Sequence, residues 1–174
     1  LREHPFTDAE DYLACIAELW DGRTHREHMY AAMDLSDFGA VKRRRVHKGL
    51  KLWERIGVEG AWWDIVDIIV RRVDELLRFD AERYRPTVYR WAEHKDIWRR
   101  RMAILCQLRA NKAHDFELLE RVLAPNLEVD EFFVQKAVGW ALRTAARQDP
   151  RWVKRYAKEH ALSPLAHREA LKNL

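Results

Sequence analysis

Apolar residues recur at three- and four-residue intervals along nearly the whole chain, and strand-like alternation is absent. "TDAEDYLACIAELW" (7–20) opens with Thr7 and Glu10 at capping-box spacing and continues through Tyr12, Ile16 and Leu19 on one face. Residues 26–38 predict a second, weaker helix. "VKRRRVHKGLKLWERIG" (41–57) predicts a third, ended by Gly57, and "EGAWWDIVDIIVRRVDELLRF" (59–79) a fourth. A helix over 86–94 takes Pro86 as its first residue, a position where the missing N–H costs nothing. Helices over 96–109 and 115–124 follow, then the longest pattern, 128–148. Asp149-Pro150 and Ser163-Pro164 each read as an N-cap followed by Pro at the first helical position. About ten helices with short connections predict an all-α fold, either a compact bundle or an α-solenoid of stacked antiparallel helix pairs.

Composition narrows this picture. The 174 residues suffice for one domain, residues 1–174, with a sizeable core. Gly 6 and Pro 5 are too few for the turns of an all-β fold. Cys15 and Cys106 are far apart and outside any CxxC, which disfavours a disulfide framework and fits a reducing, cytoplasmic setting. No apolar run reaches spanning length and no signal peptide is visible, so no membrane partner is expected. The chain starts at Leu1 without Met and enters a helical pattern almost at once, so part of a native N-terminus is expected to be missing. The eight histidines show no metal-ligand spacing, with His4, His25 and His28 read as surface residues, and P-loop, GxGxxG and GxSxG motifs are absent. No metal and no cofactor are expected.

Neighbours at three and four positions separate ordinary core residues from misplaced ones. Trp62, with Val58, Ile65 and Val66, reads as core. Trp63, with Glu59, Gly60, Val66 and Asp67, lies at the border of the apolar face, one turn from a carboxylate. Asp64 reads as a surface or structural charge. Trp140 sits among Lys136, Ala137, Arg143 and Thr144, as a packing residue or as a stacking surface beside phosphates. Arg101 is flanked by Ile97, Trp98, Ile104 and Leu105 and needs a counter-ion or a phosphate, while Arg99 and Arg100 reach solvent more easily. The net charge is only +4, but the cations are clustered. "KRRR" (42–45), "WRRR" (98–101) and the series Arg143, Arg147, Arg151, Lys154, Arg155 and Lys158 are solvated faces or the lining of one phosphate-binding groove.

Five stretches, taken together and in order, resemble a known family: "ELWD" (18–21), "WWDIVD" (62–67), "WRRRMAILCQL" (98–108), "FFVQKAVGWALR" (132–143) and "LSPLAHREALK" (162–172). They are similar to the AlkD-like alkylpurine DNA glycosylases. The resemblance implies HEAT-like helical repeats around a concave basic groove. It also implies hydrolysis of the N-glycosidic bond of cationic N3- and N7-alkylated purines, in double-stranded DNA, by a monomer. Carried over position by position, the catalytic carboxylate is Asp67, and the substrate- and DNA-binding residues are Trp63, Arg101 and Trp140. A non-catalytic DNA-structure-binding relative and a protein-interaction scaffold on the same helical repeats are the alternatives.

Overall fold

The structure, a computed structural model, describes Phe6 and residues 8–37, 48–110 and 114–174. These residues form α1 (Ala9–Asp21), α2 (Arg26–Asp37), α3 (Leu50–Gly60), α4 (Trp63–Phe79), α5 (Ala81–Ala92), α6 (Ile97–Ile104), α7 (Phe116–Leu123), α8 (Phe132–Ala145), α9 (Pro150–Glu159) and α10 (Pro164–Ala170). No strand is present among them. None of these helices is long and apolar enough to cross a membrane.

Consecutive helices pack as pairs, and the even-numbered helices touch one another in the order α2, α4, α6, α8, α10. Short connections make each pair antiparallel, so the even helices form one layer of a solenoid, with their N-termini along a shared edge. The core runs continuously through the stack, from Tyr12, Ile16 and Trp20 through Ile65, Val66 and Ile69 to Met102, Val138 and Leu142.

Local signals explain most helix starts. Asp96, Asp115, Asp149 and Ser163 accept bonds from backbone N–H groups of α6, α7, α9 and α10. At α1 the cap is Asp8, which accepts from the N–H groups of Glu10 and Asp11; Thr7 lies outside the described residues. Two boundaries differ from the periodic pattern. Pro86 falls inside α5, because Asp80 caps that helix and accepts from Arg83 N–H, well upstream of the proline. Gly57 does not stop α3; it sits inside the helix, where a Cβ would lie 2.5 Å from Met102 Sδ. The break comes at Ala61, whose φ of 42° is left-handed and lets the chain turn before Trp63.

Within the layer of even-numbered helices, α8 and α10 approach closely. A Cβ on Gly139 would lie 2.5 Å from Glu169 Cβ and 2.8 Å from the Ala166 carbonyl oxygen. Because backbone is involved, the neighbour cannot simply rotate away. Gly139→Ala is expected to cost about 1–3 kcal/mol through overpacking, read as a lower denaturant midpoint. An unchanged midpoint would show that α10 shifts freely.

Candidate active site

Asp67 lies on the second turn of α4 and Arg101 on α6. Arg101 Nε donates to Asp67 Oδ1 at 2.9 Å and Nη2 to Oδ2 at 2.8 Å, a parallel two-bond fork. Its Nη1 donates to the Phe133 carbonyl on α8 at 2.8 Å. The Arg101 side chain is only 3% exposed and that of Asp67 13%, so the pair is nearly dry. Arg101 therefore ties α4, α6 and α8 together through the carboxylate. Of the two tasks open to it, holding a phosphate or holding Asp67, the structure displays the second.

Asp67 also lines a cavity of about 210 Å³ with Val70, Arg71 and Asp74 of α4, Leu108 and Arg109 after α6, and Trp140, Thr144 and Arg147. Asp67 and Trp140 thus face one space although they are far apart in sequence. Burial pushes the Asp67 carboxyl up, and the Arg101 bonds pull against that shift. The site holds a largely desolvated carboxylate bonded to Arg101, in a cavity that Trp140 and three further arginines also line.

Trp63 opens α4 one turn before Asp67 and is 47% exposed, as its border position predicts. Trp62 does not belong to the core: it is 43% exposed. The helix begins after it, so the neighbours it would have had inside a helix are not its neighbours. Instead its ring meets Phe133 edge-on at 5.4 Å, and Phe133 in turn contacts Trp98 and Phe132. Phe132, 60% exposed, is a further aromatic on this edge. It sits at the first position of α8, and its signal was an apolar residue placed where the helical stripe had not begun. Asp64 is structural: it accepts from Arg26 Nη2 at 2.8 Å, from the Tyr30 hydroxyl at 2.6 Å and from Ile65 N–H.

The basic runs divide. "KRRR" (42–45) lies outside the described residues. In "WRRR", none of the three arginines points freely to solvent. Arg99 Nε donates to Glu54 at 2.7 Å. Arg100 donates to the carbonyls at the end of α5 and to Pro125 O and Asn126 Oδ1. Those carbonyls lack helical partners, so an arginine there satisfies the helix end rather than a ligand. Arg143 and Lys136 share Glu169 of α10, whose carboxyl they hold down to about 2, the Lys136 bond being the largest cause. Arg147 reaches the cavity, while Arg151, Lys154, Arg155 and Lys158 are exposed on α9.

An all-α repeat protein with a nearly dry carboxylate in an arginine-lined cavity is the class that the fold and this site define. The whole chain, residues 1–174, matches the family described as DNA alkylation repair enzyme, and the chain belongs to that family. Its role is accordingly that of an enzyme in the repair of alkylated DNA. A solved structure titled "Predicted DNA alkylation repair enzyme from Enterococcus faecalis" is similar, with 29% identity, a TM-score of 0.72, and coverage of 95% of this chain and 76% of that one. No curated protein matches.

Proposed function

We propose that the chain, acting as a monomer on duplex DNA, hydrolyses the N-glycosidic bond of N3- and N7-alkylated purines. The observation that carries this is a carboxylate fixed by two arginine donors in the cavity that Trp140 also lines. A purine alkylated at these positions is cationic and leaves readily. The C1′–N9 bond breaks, its electron pair neutralises the purine, and positive charge grows on the sugar. Asp67 stabilises that oxocarbenium character. Water then attacks C1′ and releases one proton to solvent, leaving an abasic sugar and neutral free base. Arg101 uses one lone pair on each Asp67 oxygen, so each oxygen keeps another for the sugar or the water. A preorganised charge in a dry site contributes roughly 3 kcal/mol to such a step. The faces of Trp63 and Trp140 favour a cationic nucleotide by roughly 0.5–2 kcal/mol.

The test is release of 7-methylguanine from methylated duplex DNA, together with binding measured at several salt concentrations. Free base should appear, and affinity should fall steeply with salt, because the protein's cations displace counterions from the phosphates. Salt-sensitive binding without base release would support the non-catalytic alternative. Salt-insensitive behaviour with no DNA affinity would leave a protein-interaction scaffold.

A further inference from the structure

The groove contains a second carboxylate that the base-release step does not use. Asp74 lies two turns after Asp67 on the same face of α4, about 10 Å along the axis. It is 3% exposed, yet it lines both the Asp67 cavity and an adjoining one of about 280 Å³. The groups around it come from every side. On α4 they are Asp67, Arg71, Glu75 and Arg78, the last in ion contact with it. After α6 come the Cys106 thiol, Gln107 and Arg109; from α5 comes Arg85, with Asp115 at the start of α7. Arg147 follows α8. No described histidine lines either cavity. Cys106 stays a thiol, since burial pushes it far up, and Asp115 is already paired with Arg85.

A buried anion beside the cations that must take a phosphate backbone is a conflict. Arg71 is held by Asp37 at 3.0 Å, so DNA would draw Arg109 and Arg147 onto its phosphates and add negative charge nearby. Both changes favour the neutral carboxyl. We propose that Asp74 couples DNA entry to a proton: the groove takes one up from solvent at this carboxylate as the backbone seats on Arg109 and Arg147. The inference rests on duplex DNA occupying this groove. The free protein is poised for it, because burial has already pushed the Asp74 carboxyl up to about 6, with Arg78 opposing.

The experiment measures affinity for an undamaged duplex between pH 5.5 and 8 at constant ionic strength. Wild-type affinity should fall as pH rises above about 6, by up to tenfold per unit for one linked proton. Asp74→Asn should flatten that slope, while Asp67→Asn should keep it. Arg78→Gln, at a half-exposed side chain, leaves Asp74 without its partner and should move the onset of the slope to higher pH. A wild-type slope in Asp74→Asn, or its loss in Asp67→Asn instead, overturns the proposal. So does a pH-independent wild type. Because no base is released from this duplex, the result stands apart from the glycosylase test. Failure to bind DNA in a salt-dependent way would overturn both.

Discussion

Asp67→Asn is expected to lower 7-methylguanine release by about 10²–10³-fold, the loss typical of removing one preorganised electrostatic group, while leaving affinity for undamaged duplex nearly unchanged. The amide keeps the shape of the carboxyl but carries no charge to set against the oxocarbenium. It also turns an NH₂ toward Arg101 where an acceptor stood. Single-turnover release of free base is the measurement, and a wild-type rate in the Asn variant would remove Asp67 from the mechanism. A pH profile adds a second check. Only the ionised carboxyl stabilises the sugar, so the rate is lost as pH falls through the carboxyl's own ionisation. Burial raises that ionisation, so the acid limb should lie higher than it would for a solvated aspartate.

Arg101→Ala is expected to be the most damaging substitution to the fold around the site. It strands a carboxylate whose side chain is 13% exposed and removes the Arg101 donor from the Phe133 carbonyl. Breaking a buried pair from one side costs about 3–5 kcal/mol, which denaturant unfolding would detect as a large fall in midpoint. In whatever fraction remains folded, Asp67 loses the group that opposes its upward shift, so the acid limb should move toward neutral pH. Arg101→Lys keeps the charge but not the two-bond fork, and should fall between wild type and Ala. A midpoint unchanged in Arg101→Ala would mean that the pair contributes nothing to holding α4, α6 and α8 together.

The odd chemistry of Arg101 was legible because an arginine among Ile97, Trp98, Ile104 and Leu105 is a contradiction within one helix. Periodicity could not name its partner, because Asp67 is on another helix; only the family resemblance set the two together, with holding Asp67 and holding a phosphate both left open. Trp62 shows the opposite limit. Counting three and four residues along a chain assumes an unbroken helix, and the left-handed turn at Ala61 invalidates the count for the residue just before α4. Pro86 was misplaced for a related reason. A proline at a helix start is common, but the Asp80 side chain capped the helix earlier, and the pattern around Pro86 could not show which signal prevailed.

Sequence alone determined the all-helical class, the start signals at Asp149 and Ser163, and the residue types at Trp63, Asp67, Arg101 and Trp140, because propensity, caps and amphipathic spacing act over only a few residues. Tertiary structure decided which cations remain available to a ligand. It gave Arg99 to Glu54, Arg100 to the end of α5 and Arg143 to Glu169, and it set Asp74 beside Arg109 and Arg147 in one groove. Charge is neutralised through space between helices far apart in the chain, so no local pattern can record it.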